Sequence, residues 1–230
     1  MIRIEKSQII GKSPNSKLIK DYKKSLKALT NIQLEASIGL LLGDANLQTQ
    51  NKGKTYRLRF EWGDKNKPYL DFVYNLFDEW VLSLPHKKIR KSPLGNTVIN
   101  WGFQTISHEA FNVLADLFYP FGLSTPKGIK QNLIKDHLTA RGLAFWFCDD
   151  GGKLDYNKNS KNKSVVLNTH SFSTKEVESM SKQLQKKFKL ECEIRSNKGK
   201  KIIVIKSESY NTFRNLIDPF IIPEMNYKLP

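Results

Sequence analysis

IGLLLGDA, Ile38 to Ala45, decides how this chain is read. Its apolar residues suit full burial, yet the run closes on a carboxylate, Asp44. A second run, LAFWFCDDGG from Leu143 to Gly152, follows the same plan and places Asp150 at the matching point. Gly39 and Gly43 share one helix face in the first run. Ala140, Ala144 and Cys148 do the same in the second. Small residues at this spacing let two helix backbones approach closely. Glycine inside a helix costs about 1 kcal/mol relative to alanine, so two of them imply a packing purpose.

Working outward, a Lys-rich helix is predicted in SPNSKLIKDYKKSLKALT, and the next from Asn31 to Asp44. TYRLRFEW, Thr55 to Trp62, alternates strictly. Tyr56, Leu58, Phe60 and Trp62 face one way, and Arg57, Arg59 and Glu61 the other, as in a half-buried antiparallel strand. A helix over Pro68 to Leu82 follows, then strands HKKIRK and NTVINWGFQT and a helix capped by Ser107. The order then restarts. A helix from Thr139 to Asp150 precedes strand SVVLNTHSF, helix TKEVESMSKQLQKKF and a hairpin turning at Asn197 to Lys200, with helix ESYNTFRNLI last. This is an internal duplication of about a hundred residues rather than a short solenoid period. The expected architecture is α+β in two halves, residues 1–130 with a basic N-terminal extension and residues 131–230.

The 230 residues carry a formal charge of +16, which favours a polyanionic partner, nucleic acid above all. No run approaches the ~20 apolar residues that span a bilayer, so no membrane is expected. The start, MIRIEKSQIIGK, lacks a secretory apolar core, and Glu5 makes it a poor transit peptide. Cys148 and Cys192 stand far apart, which excludes a cysteine zinc site and fits a reducing compartment. Abundant Lys, Asn and Ile is what AT-rich codons encode, as in a mitochondrial genome.

If the two runs pack as paired helices, Asp44 and Asp150 emerge at the same end. Each then sits at a helix C-terminus, where the macrodipole disfavours negative charge by up to about 1 kcal/mol. Asp149 adds repulsion. Acids placed against their own electrostatics imply a cation, and a hard divalent ion such as Mg²⁺ takes carboxylate oxygens, waters and a substrate phosphate. Glycoside hydrolysis also uses two carboxylates, but a strongly basic chain gives a neutral sugar no advantage. A phosphate-cradling G-x-x-x-x-G-K-[ST] loop is absent from the sequence.

SIGLLLGDA (Ser37 to Ala45) and LAFWFCDDG (Leu143 to Gly151) resemble the two motifs of the LAGLIDADG homing endonucleases. The flanking GKTY with FEW, WVLSLPHKK, DDGGKLDYNKNS, NKSVVLNT and MNYKLP look like the single-chain subgroup typified by the yeast mitochondrial omega-intron enzyme. The departures are Leu42, Ala45, Phe145 and Cys148, and none touches the eighth-position acid, Asp44 or Asp150.

The resemblance implies two pseudo-symmetric αββαββα halves, saddle-shaped antiparallel sheets over DNA and a central two-helix interface. It implies a monomeric double-stranded DNA endonuclease, needing no protein partner and using Mg²⁺ with Mn²⁺ able to substitute, mitochondrial in location. Asp44 and Asp150 would hold metal with the backbone carbonyls of Gly43 and Asp149. Lys127 and Lys228, each late in its own half, match the family's basic residues beside the scissile phosphates. An RNA-splicing maturase and a non-cleaving DNA-binding protein of the same fold are the alternatives.

For DNA reading, Arg57 and Arg59 suit guanine, and Asn100 and Gln104 suit adenine, with Asn168 and His170 in a similar place in the second half. Lys87, Lys88, Lys198 and Lys200 are expected on phosphates.

Overall fold

The computed structural model describes residues 6–13, 15–120, 122, 127–154 and 161–230. The chain forms two compact units, Met1–Gln33 with Ala45–Val113, and Leu34–Asp44 with Leu114–Pro230. Most of the first acid-terminated run therefore packs with the second run, in the second unit.

In the first unit, α1 (Lys17–Ser25) is capped by Ser16, whose side chain accepts from the Ile19 N–H. Helix α2 (Asn31–Leu42) starts in this unit and continues into the other. Strands β1 (Asn46–Gln48) and β2 (Arg57–Gly63) follow, then α3 (Lys67–Leu76), β3 (His86–Lys91) and β4 (Thr97–Gln104). They build an antiparallel sheet in the order β1-β2-β4-β3. The alternation of β2 is realised: Leu58, Phe60 and Trp62 are buried while the residues between them are half-buried. Phe60 stacks with Trp62 at 5.8 Å between ring centroids and meets Phe103 at 4.7 Å.

The second unit takes in most of α4 (Asn112–Phe118), with α5 (Leu133–His137), α6 (Ala140–Asp150), β5 (Gly151–Lys153) and β6 (Val165–Leu167). Then come α7 (Thr174–Phe188), β7 (Cys192–Asn197), β8 (Lys200–Ile205) and α8 (Tyr210–Ile217). Its antiparallel sheet runs β5-β6-β8-β7. The two sheets share one topology, as the duplication required. The β7–β8 turn uses Lys198 (φ 51°) and Gly199 (φ 77°), the paired positive φ of a tight hairpin.

Several boundaries differ from the sequence reading. The helix expected over Pro68 to Leu82 ends at Leu76, and a 3-10 turn at Asp78–Trp80 replaces its last part. His108, not Ser107, caps the following segment, accepting from the Ala110 N–H. The short strands β1 and β5 lack a full alternating period and were not legible. Strand β6 stops at Leu167, so Asn168 and His170 lie beyond it rather than on it.

Candidate active site

From Ala36 to Leu42, helix α2 is buried on every side, and Leu40, Leu41 and Leu42 are fully enclosed. Its residues from Leu34 onward pack against α6. A Cβ on Gly39 would lie 2.0 Å from the Gly142 carbonyl oxygen, and one on Gly43 would lie 2.4 Å from the Asp149 Cβ. Only glycine permits this approach at either position. The α6 side of the crossing is Gly142, Phe145 and Asp149. This corrects the expected stripe of Ala140, Ala144 and Cys148. Phe145 stands where the motif has glycine, and Gly142, one turn earlier, supplies the missing clearance.

The crossing delivers both acids to one place. Asp44 follows the end of α2, and Asp150 ends α6. The Asp44 N–H donates to Asp149 Oδ2 at 3.1 Å, tying one motif to the other. Lys127 Nζ donates to the Gly43 carbonyl at 2.8 Å. Lys228 Nζ donates to the Cys148 and Asp149 carbonyls at 2.5 and 2.7 Å. Both lysines thus sit at helix C-terminal carbonyls, where the dipole favours a cation.

Electrostatic coupling runs through the whole group. Burial pushes Asp150 up to about 7, helped by the charge of Asp44 and opposed by Lys127 and Lys228. Burial also raises Asp44, against the same two lysines. Asp149 is enclosed and held well above the usual carboxylate range by burial and then by Asp44. Burial lowers Lys127 and Lys228, while the three aspartates act to raise them. Hence the four residues assigned to catalysis from sequence are brought together.

The Gly43 and Asp149 carbonyls, expected in a metal shell, each accept from a lysine ammonium. Among the described residues, no group of three or more His, Cys, Asp or Glu is arranged to hold a metal by itself. The charged oxygen donors here are the Asp44 and Asp150 carboxylates. This hard, incomplete set suits a divalent cation that fills its shell with water and phosphate oxygens.

On the first sheet, Arg57, Arg59, Lys88, Asn100 and Gln104 share the face opposite the aromatic core. Arg57 donates to Gln48 Oε1 at 3.0 Å, and Gln104 pairs with Arg59 across β2 and β4. Lys87 does not join them: it pairs with Trp101, on the other face of edge strand β3, because successive side chains alternate. Asn168 turns inward, its N–H and amide both donating to the Asp150 carbonyl at 2.9 and 2.8 Å. His170 Nε2 is buried without a hydrogen-bond partner. Lys198 and Lys200 sit at the β7–β8 turn, and both are exposed. Sequence reasoning missed Gln48, His86 and Arg90 on the first sheet, and Glu193 and Arg195 on the second. The period of two in HKKIRK and ECEIRS carried that signal for all but Gln48, which lies on the three-residue strand β1.

A fold built on two acid-terminated helices and two like sheets defines a class of nuclease, and the profile of the LAGLIDADG DNA endonuclease family matches residues 34–213. The chain belongs to that family. It is 48% identical over 226 residues to the probable intron-encoded endonuclease 1 of Wickerhamomyces canadensis, covering 98% of this chain and 96% of that protein. The solved structure of the homing endonuclease I-WcaI bound to its DNA recognition sequence superposes with a TM-score of 0.92 at 47% identity, over 99% of this chain and 98% of that one. The cytochrome b mRNA maturase bI2 of Saccharomyces cerevisiae is 28% identical over 220 residues, 91% of this chain but 50% of the maturase.

Proposed function

We propose that this protein is a monomeric homing endonuclease that cuts both strands of a long, specific duplex DNA site and so supports intron mobility. The observation that carries the reading is the cluster of Asp44, Asp150, Lys127 and Lys228 at the C-terminal ends of two crossed helices. The 48% identity to a probable intron-encoded endonuclease supports it. An organellar, mitochondrial setting fits relatives named as intron-encoded endonucleases and cytochrome b maturases.

Asp44 and Asp150 would hold a divalent cation, Mg²⁺ by preference for hard oxygen, with Mn²⁺ able to replace it. Bound there, the cation supplies Lewis acidity and lowers the pKa of water for phosphodiester hydrolysis. The chain's own residues do the rest. The two carboxylates lie together where the phosphodiester backbone must enter, so entry depends on positive charge already in place. Lys127 and Lys228 provide it, Lys127 resting on the Gly43 carbonyl and Lys228 on those of Cys148 and Asp149, so that both ammoniums stand where charge builds on the phosphate in the transition state. The outward face of the first sheet, with Arg57, Arg59, Asn100 and Gln104, reads base edges. Lys198 and Lys200 meet phosphates, which position without specifying, while Lys88 stays paired with Glu61 on the outward face. Lys87, on the other face, is left to the margin of the duplex.

The test is cleavage of a plasmid carrying the intron-less insertion site with Mg²⁺ present. Linear product with staggered ends, 5′ phosphates and 3′ hydroxyls is expected from the wild type. Asp44→Asn and Asp150→Asn should bind the site without cutting it. Undiminished cutting by Asp44→Asn would overturn the mechanism. Binding without cutting by the wild type would favour a maturase or a non-cleaving DNA-binding protein.

A further inference from the structure

On the outward face of the first sheet, every strong donor near the middle turns toward one acid. Glu61 Oε2 accepts from Arg59 Nη2 at 3.2 Å and from Lys88 Nζ at 2.5 Å. Its other oxygen accepts from Asn100 Nδ2 at 2.9 Å. The three partners come from three adjacent strands, β2, β3 and β4, so the carboxylate crosslinks the reading face. The pairs are partly exposed: side-chain exposure is 26% for Glu61, 40% for Arg59 and 35% for Lys88. Ion pairs this open add little to stability. Hydrogen bonds from Asn100 and Lys88 nonetheless hold the carboxyl down to about 2, so it stays charged at any working pH. A permanent anion at the centre of a surface meant for DNA works against binding, and fold stability does not explain it.

We propose that Glu61 determines specificity by holding back Arg59 and Lys88, keeping both cations off the phosphates of non-cognate DNA. This rests on the DNA-facing assignment of the first sheet. Phosphate contacts attract any duplex, whereas base contacts discriminate. While Arg59 and Lys88 are paired with Glu61, a random duplex gains little from either. A correct site, with base acceptors in line with the free nitrogens of Arg59, gains those contacts without breaking the pair. Glu61 thus lowers the background rather than raising the peak.

The experiment measures binding of wild type, Glu61→Gln and Glu178→Gln to a random-sequence duplex across a salt series. Glu178 is exposed on α7, so its substitution adds the same net charge away from the sheet. Each newly neutralised phosphate steepens the log–log salt dependence by about 0.9, so releasing both cations should steepen Glu61→Gln by roughly 2. Tighter binding by severalfold at low salt is expected for Glu61→Gln, and neither change for Glu178→Gln. Selection from a randomised duplex library should return a less defined consensus with Glu61→Gln than with the wild type. Equal slopes for wild type and Glu61→Gln, or equal shifts in both variants, would overturn the role of Glu61 while leaving DNA on this face. No salt-dependent binding by the wild type would overturn both. Arg59→Gln together with Glu61→Gln leaves Lys88 alone released, so a slope steeper than the wild type by about 0.9, half the change of Glu61→Gln, supports the pairing, and an unchanged slope overturns it.

Discussion

The backbone N–H of Asp44 donates to the carboxylate of Asp149 at 3.1 Å, so the acid preceding Asp150 in one motif fixes the end of the other. The doublet Asp149–Asp150 is divided by burial: the first carboxylate is enclosed and bound to the Asp44 N–H, and its neighbour is only partly enclosed. Asp149→Ala removes the acceptor of a buried N–H and opens a cavity. A loss of about 1–3 kcal/mol is expected in chemical denaturation, with cleavage reduced because Asp44 is no longer held. Asp149→Asn, which keeps an acceptor oxygen, should retain most of the stability.

Gly39→Ala tests the helix crossing. The new methyl would strike the Gly142 carbonyl oxygen, a backbone atom that cannot turn aside. Overpacking of this kind outweighs the ~1 kcal/mol that alanine gains in a helix, giving a net loss of about 3 kcal/mol or more. Gly152→Ala is the contrast, since its methyl meets only Val166 Cγ1 at 4.0 Å. Thermal unfolding of the two variants should separate them clearly.

Removal of either lysine should split metal affinity from catalysis. Lys228→Met frees the Cys148 and Asp149 carbonyls and deletes a positive charge beside the acids. Titration calorimetry with Mn²⁺ in the absence of DNA should then show affinity equal to or above that of the wild type. Single-turnover cleavage should fall by about 10²–10³-fold, the scale for losing one oxyanion donor. A parallel loss of metal binding would place Lys228 in the fold rather than the chemistry.

Glu176 supports Lys127 from a distance. One of its oxygens completes the capping box with Ser173, and the other accepts from the Ile129 N–H at 3.0 Å, two residues from Lys127. Glu176→Ala should cost roughly 1 kcal/mol, as lost caps do, and slow cleavage beyond what that destabilisation explains at low temperature. Rescue by Glu176→Gln should be partial, because its one amide oxygen can accept from only one of the two N–H groups and its NH2 would face the other.

Glu61 also sets an acid-side dependence. Its carboxyl, ordinarily near 4.5, is held down to about 2 in the folded chain, first by Asn100 and then by Lys88. The unfolded chain therefore binds the extra proton, and the small stability that these open pairs add is complete above about 4.5 and lost as pH falls toward about 2. Denaturation midpoints of wild type and Glu61→Gln should differ slightly near neutrality and converge in acid.

Much of this was legible because periodicity and repetition are local signals. The period of two in β2, the Ser173 cap and the β7–β8 turn each follow from side-chain chemistry within a few residues. The doubled motif identified Asp44 and Asp150, and the resemblance to the family's basic residues, with matching places late in each half, led to Lys127 and Lys228. The short strands β1 and β5 were hidden, since three residues carry no period and their pairing is long-range. Asn168 and His170 were misplaced because β-branched Val165 and Val166 continue into a polar run that still alternates, while the ladder ends at Leu167.

By itself the sequence determined that two buried helices end in acids within a repeated α+β frame of strong positive charge. Those properties belong to residue type and spacing, and no tertiary contact can change them. Tertiary structure alone decided which small residue lets the helices cross, Gly142 instead of the Ala144 stripe. It also decided that the lysines rest on the Gly43 and Asp149 carbonyls, and that Glu61 gathers donors from three strands. Each of these depends on where two distant backbones come within a few ångströms, a distance fixed by packing and register rather than by position in the chain.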